Sequence, residues 1–448
     1  MALTKATNRM TSGAPVNILD FGAVGDGVTD DTVAIQDAID AVGATEGMLI
    51  IPEGTYKTTS QLNLPSGVSL SGQGRRNASI IKAYHTGPAI LNLKGAGFCR
   101  IQDIALATDT TTYPKTGIAL GRSTSASAGH HHIENVKIQG YFSEAVFYSI
   151  ASEVNTIQGL YMWNLGGAST SKYGFYTSEA DDLSVDSFVT STNLVGNIHH
   201  LNIVNSSSDI NAACIYIEAG ESTGSWNFYG AYLTSYKGSY IQINNATDAQ
   251  IIGPYSFSAC SGERLTGGDP TYGFKLTSSV ACNFKGLNIT GSRFDLLAGA
   301  THYTFWADPA FVLTTPNIIL QPSEAFPYAE EVYTPDKIKG GLFCVSREGE
   351  QATPTLLNSW VNHYGSPWIQ VGYKKTPEGI VYVTGRVTGG SGVIMTLPEH
   401  FRPSADTVFA AVGNAAVAEL KVATTGDVTL LTGAGPVNLT SIIFPAGN

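Results

Sequence analysis

DFGAVGDGVTDDTVAIQDAID, residues 20–40, followed by GMLIIPEGTYKTTSQLNLPSGVSLSGQGRRNASIIKA, residues 47–83, decides the fold of this chain. Asp26-Gly27 is a turn signal. Thr29 is suited to cap a helix, with Asp30 and Asp31 placing negative charge against its N-terminus. Ala34, Ile35, Ala38, Ile39 and Val42 then fall on one helical face, so the helix has a side to bury. The residues after the helix are strand-like: Leu49 to Ile51, a Pro-x-Gly turn at Pro52 to Gly54, then Val68-Ser69-Leu70. A short helix ahead of short strands and Gly-rich turns suits the first rung of a solenoid, whose open end must be covered.

Working outward, one pattern recurs: apolar, two residues, apolar, one residue, apolar. It falls at Ile101-Ile104-Leu106, Ile133-Val136-Ile138, Ile157-Leu160-Met162, Ile198-Leu201-Ile203, Phe228-Ala231-Leu233, Ile252-Tyr255-Phe257 and Phe284-Leu287-Ile289. Successive starts differ by 32, 24, 41, 30, 24 and 32 residues. Between them lie second strands such as Gly117 to Leu120, Gly174 to Tyr176 and Cys214 to Ile217. Steps of a little over twenty residues, with inserted loops in the longer ones, are the mark of a parallel β-helix. The step of 41 holds the longest insertion, YTSEADDLSVDSFVTSTNLVGN, between Phe175 and Ile198.

Charged residues make up 14% of the 448, below the usual quarter or so, and Gly is abundant at 49. That mix suits short strands and tight turns. The net charge of −11 argues against nucleic acid as a partner. The five cysteines show no Cys-x-x-Cys spacing and read as buried free thiols, in keeping with assembly in a reducing compartment. No signal peptide and no apolar run long enough to span a membrane are present.

The opening stretch resembles the pectate-lyase-like right-handed β-helix superfamily, and within it the phage tailspikes and capsule depolymerases. The matching residues are Asp20-Phe21-Gly22-Ala23, Gly25-Asp26-Gly27, Thr29 to Thr32, Ala34-Ile35-Gln36, Ile51-Pro52, Gly54, Tyr56 and Gly72-Gln73-Gly74. These are capping and turn residues, specific for fold and silent about chemistry. The fold class expected is all-β: a single-stranded right-handed parallel β-helix with an N-terminal capping helix, followed by a jelly-roll-like β-sandwich. The division expected is a short attachment segment at 1–15, the β-helix at 16–321, a proline-rich linker at 322–340 and the sandwich at 341–448. The stretch Trp360 to Pro403 is loosely similar to the C-terminal modules of tail fibres. The resemblance implies a homotrimer in the virion, joined to the phage tail or to another spike through its N-terminus. It implies a protein that binds, and usually cleaves, bacterial capsule or O-chains at the host surface. It implies no cofactor, no metal and no membrane insertion.

Such relatives share no catalytic motif, so the chemistry is read from residue types. The residue between the last two apolar positions of each rung points outward: Lys137, Tyr161, Asn202, Tyr232, Ser256, Asn288, with Gln139 and Trp163 just past the strand. Aromatic plates and amides along a β face suit a sugar groove. The long insertion carries Glu179, Asp181, Asp182 and Asp186; Glu218 and Glu221 come next, near Trp226. Glu179, Asp182, Asp186, Glu218 and Glu221 are the catalytic candidates, because glycoside hydrolysis needs two carboxyl groups. Tyr161, Trp163, His199, Asn202, Trp226 and Tyr232 are the substrate-binding candidates. The alternatives are elimination on a uronate, drawing on His199, Tyr161, Lys137, Lys172 and Arg264 as base and cations, and a receptor-binding spike without catalysis. The His130-His131-His132 run could bind metal, although adjacent side chains rarely aim at one ion. No Gly-x-Ser-x-Gly elbow supports an esterase. Hydrolysis ranks ahead of elimination because the insertion is acidic and the basic residues are scattered.

Overall fold

The computed structural model describes residues 15–73, 77–121, 129–150, 155–165, 172–178, 195–219, 225–245, 255–278, 287–294, 303–307, 318–322, 342–344, 353–363, 371–375, 379–412, 417–433 and 436–447. The chain divides into two units, Met1–Leu342 and Phe343–Asn448. The expected linker at 322–340 lies, but for Pro322, outside the described residues.

The first unit is a right-handed parallel solenoid. Each rung supplies one strand to each of three sheets. Arg100–Gln102, Ala105–Thr108 and Thr116–Gly121 make one rung, and His132–Glu134, Lys137–Gly140 and Ala145–Ile150 the next. All pairings between rungs in these sheets are parallel, with Ile101, Ile133, Ile157, Ile198 and Phe228 stacked in register. The first five apolar triplets point inward and are buried, each large side chain contributing about 1.5–3 kcal/mol. Aromatic pairs stack along the axis, Phe147 on Phe175 at 5.1 Å and Phe228 on Phe257 at 5.0 Å.

The triplet is not one strand but two, folded at a corner. The corner residues Asp103, Asn135, Gly159, His200, Gly230 and Ala259 all have φ between 52° and 66°. Each corner N–H donates to the rung that comes after it, as Asn135 does to the Gln158 carbonyl and His200 to that of Tyr229, so the ladder continues around the bend. A non-Gly residue in this conformation costs roughly 1 kcal/mol, which the added bond offsets.

The register corrects the expected phase at two rungs. Phe228 pairs with Phe257 and Phe257 with Ile289, so the inward triplets are Phe257-Cys260-Gly262 and Ile289-Ser292-Phe294. Gly262 hid the pattern by carrying no side chain. A Cβ there would lie 2.7 Å from Phe294 and 2.8 Å from Tyr240, whose rings fill the space.

The capping helix runs Thr32–Gly43 and buries Ile35, Ala38, Ile39 and Val42. Its N-cap is Asp31, not Thr29. Thr29 lies in the strand Asp26–Asp30 and bonds Asp26. The Asp31 carboxylate is buried and accepts from Val24 N at 2.6 Å and Gly25 N at 3.1 Å, which ties the DFGAVGDG loop to the helix. Cys99, Cys214 and Cys260 are free and buried, their thiols pushed up by burial to about 11, 12 and 11.

The second unit is antiparallel, with three small sheets among the described residues. Its own core includes Trp360, Val381, Val383, Ile394, Leu420 and Phe444. The largest sheet joins Val393–Thr396, Asp427–Thr432, Val417–Val422 and Thr407–Val412.

Two substitutions test this packing. In Gly196→Ala the new Cβ would lie 1.9 Å from Cζ3 of Trp226; chemical denaturation should show a loss of about 1–3 kcal/mol or more. His131 is buried, and burial, reinforced by neighbouring His130, pushes its imidazole down to about 4. As pH falls through the ordinary histidine range, the unfolded chain takes up a proton that the native chain refuses. Stability should therefore decline between pH 6.5 and about 4, by about 3 kcal/mol from this group. His131→Phe should flatten that part of the stability–pH curve.

Candidate functional site

Among the described residues, the outer face of the second sheet carries two exposed aromatics, Trp163 and Tyr232, while Tyr229 on the first sheet and Phe98 are also exposed. Lys137, Tyr161, Asn202, Tyr232 and Ser261 stand in one lane, aligned rung over rung. Gln139, Trp163, Val204, Thr234 and Glu263 form the parallel lane beside it. Adjacent members of a lane are about 4.8 Å apart. Trp163 and Tyr232 are each 38% exposed, far above what a core aromatic shows. Lys137 donates to the Asn77 side chain at 3.1 Å, and its Nζ lies 5.9 Å from the Tyr161 ring centre. The Tyr232 hydroxyl donates to a Glu263 carboxylate oxygen, and that bond is the leading cause holding the phenol above its usual range. Along one edge of the sheet Asn164 donates to Asn205 at 3.0 Å in a buried amide ladder.

The expected lane is therefore right through Tyr232 and wrong beyond it. Ser256 and Asn288 align with Asn227 on the first sheet. Their places are taken by Ser261 and, one rung on, Arg293. The same phase error hid Glu263, a carboxylate that stands beside Tyr232 on this face. Reading Cys260-x-Gly262 as the inward pair would have exposed it.

The other candidates scatter. His199 lies on the first sheet, across the His200 corner, stacked on Tyr229 with centres 4.9 Å apart. Glu218 belongs to the third sheet and accepts from the Tyr176 hydroxyl. There Tyr148, Tyr176 and Tyr216 pack with Ala89, Ala119 and Ala145 in a second apolar cluster, outside the main core. Tyr173 stacks on Tyr216 at 4.2 Å, and burial pushes its phenol up to about 12. Trp226 is a correction. It is buried in the solenoid core between Phe175 and Phe228, so it has no face for a sugar. Its strand position is inward because it comes after Ser225 in the alternation Ser225–Tyr229. Glu179, Asp181, Asp182, Asp186 and Glu221 lie outside the described residues.

Among the cations, Lys172 is 3.5 Å from Asp209, and Arg264 ends the second-sheet strand Ser261–Arg264. The three histidines diverge: His130 stacks on Phe98, His131 is buried, and His132 contacts Glu134 at 3.1 Å beside Arg100. No group of described residues is arranged to hold a metal ion.

The site is thus an open strip of aromatic plates, amides and a lysine, with Glu263 oriented by Tyr232. Flat rings can cover sugar C–H faces, and amides can bond hydroxyls. Residues 15–211 match the family model described as rhamnogalacturonase A/epimerase, pectate lyase-like. The chain is 41% identical over 81 residues to the tail spike protein of Shigella phage Sf6, covering 17% of this chain and 13% of that one. It is 46% identical over 66 residues to mannuronan C5-epimerase AlgE6 of Azotobacter vinelandii, covering 13% and 8%. It is 27% identical over 188 residues to the capsule KN3-specific depolymerase 1 of Klebsiella phage KN3-1, covering 37% and 23%. The matches span less than a quarter of the length of each of these relatives. A spike and an epimerase match over similarly short lengths, which separates shared fold from shared chemistry.

Trp163 and Trp226 should behave oppositely on truncation. Trp163→Ala should cost far less, about 1 kcal/mol or under, since the side chain is 38% exposed on the sheet surface. Trp226→Ala should lose about 3–5 kcal/mol of stability in denaturant titration. Equal losses for both would contradict the assignment of one to the surface and the other to the core.

Proposed function

With residues 15–211 in the pectate lyase-like family, we propose that this chain is a phage spike that binds bacterial surface polysaccharide along the second-sheet strip and cleaves it by hydrolysis. The in-register lane of Tyr161, Asn202 and Tyr232, with Trp163 beside it, carries the reading. Exposed aromatics repeated at rung spacing fit a polymer better than a small ligand. The tail spike and capsule-depolymerase relatives support the same substrate class.

Hydrolysis needs an acid and a second carboxylate, about 5–5.5 Å apart for retention or 6.5–9.5 Å for inversion. Glu263 joins the candidates Glu179, Asp182, Asp186 and Glu221 because it stands on the strip, whereas Glu218 lies on the third sheet and drops out. Tyr232 holds it in place by donating one hydrogen bond. Elimination is the second reading. It is favoured by Lys137 beside Tyr161, a cation next to a phenol that could serve as base. Trimer formation, carried by the antiparallel unit, and attachment through residues 1–15 complete the proposal of a spike borne on the virion.

The test is incubation with a panel of purified capsular and O-chain polysaccharides, then sizing, reducing-end assay and near-ultraviolet absorbance. Hydrolysis predicts shorter chains and new reducing ends without an absorbance rise. Absorbance from an unsaturated uronate moves the reading to elimination. A polymer that is bound and left intact identifies a receptor binder. Neutralising each carboxylate in turn should cost several orders of magnitude in rate at one or two positions, with binding retained.

A further inference from the structure

Basic residues that are far apart in sequence converge at the N-terminal end of the second sheet. Strands Gly54–Thr58 and Ser79–Ala83 pair so that Lys57 stands directly against Lys82. Both ammonium groups turn to one ring, with Nζ at 5.2 Å and 5.0 Å from the centre of Tyr84. No described carboxylate comes within 4.0 Å of either Nζ. Asp30 is near enough to feel Lys57, but its oxygens are engaged by Thr32 and Thr59. Two like charges one rung apart repel, and the Tyr84 ring offsets this only in part. Asp30 is also the register partner of Lys57 and balances one of the two charges, so the lane carries one net positive charge there, held toward Lys82 and Tyr84.

The spot shares a lane with the strip. The lane of Lys57 and Lys82 runs on through Ala107 and Gln139 to Trp163. Ala107 is small and buried, so the neighbouring side chains close over it between Lys82 and Gln139. After Asp30, one lane thus offers two cations, a covered alanine, an amide and an indole plate, in that order. We propose that Lys57, Lys82 and Tyr84 form a subsite for the anionic group, a carboxylate or a phosphate, of an acidic glycan whose next sugars lie along Gln139 and Trp163. An anion between the ammonium groups would relieve their repulsion and form charge-assisted hydrogen bonds to both. The inference rests on the proposed function only in taking the ligand to be a sugar.

The test uses the full chain with its lysines ¹³C-dimethylated, which preserves their charge, and with the Lys57 and Lys82 signals assigned through Lys→Arg variants. Glucuronate, glucose 6-phosphate and glucose are titrated separately. The Lys57 and Lys82 signals should shift saturably with one or both anions and stay still with glucose; which anion acts identifies carboxylate or phosphate as the group taken. Lys82→Gln should weaken the response at Lys57 about tenfold. Lysine signals that drift together, or that do not move with either anion, overturn the subsite. Trp163→Ala is titrated in parallel. If its lysine response persists while polysaccharide binding by the unmodified chain fails, the strip is wrong and the anion subsite stands.

Discussion

In-register stacking of parallel strands is the constraint on which the rest of the solenoid depends. Each backbone N–H and C=O is satisfied by the rung before or after, so equivalent residues are held about 4.8 Å apart whatever their chemistry. Where they are apolar the stacking builds the core, as with Ile133 on Ile157. Where they are amides it builds ladders, as with Asn164 on Asn205 and Asn227 on Asn197. Where they are lysines it imposes repulsion, as with Lys57 on Lys82. The surface is therefore a set of lanes, and the chemistry of each lane is set by what the same position holds in successive rungs.

Two devices keep that ladder intact. At the open end, the helix Thr32–Gly43 lays Ile35, Ala38, Ile39 and Val42 over the first rungs, and buried Asp31 clamps the preceding loop through two backbone N–H groups. At each corner between the first and second sheets, one left-handed residue bends the chain without breaking the inter-rung bond. That Asp103, Asn135, His200 and Ala259 accept this conformation shows the ladder outweighing local preference.

The same geometry explains why the described candidates Glu218, His199, Trp226 and Tyr232 do not meet. A strand alternates inward and outward, and three sheets face three directions. Trp226 falls inward, His199 outward on the first sheet, Tyr232 outward on the second and Glu218 on the third. Closeness in sequence, such as Glu218 to Trp226, implies nothing about a shared face. Among strand residues, those in the same lane, or in neighbouring lanes of one sheet, can act on one ligand. Tyr161, Trp163, Asn202, Tyr232 and Glu263 satisfy this condition.

The sequence alone determined the solenoid, the helix that caps it and most of the aromatic lane. The inward apolar triplets and the helical face repeat at spacings that only a stacked β structure and an amphipathic helix can bury. Tertiary structure alone decided the phase of the last rungs, because Gly262 removes the side chain that marks it and lets Phe294 and Tyr240 fill the gap. It also decided that Glu263 faces the strip, that Trp226 does not, and that Lys57 meets Lys82. Those facts depend on which residue of one rung pairs with which residue of the next. Loops of variable length separate the rungs, so the pairing is a long-range property that local spacing does not encode.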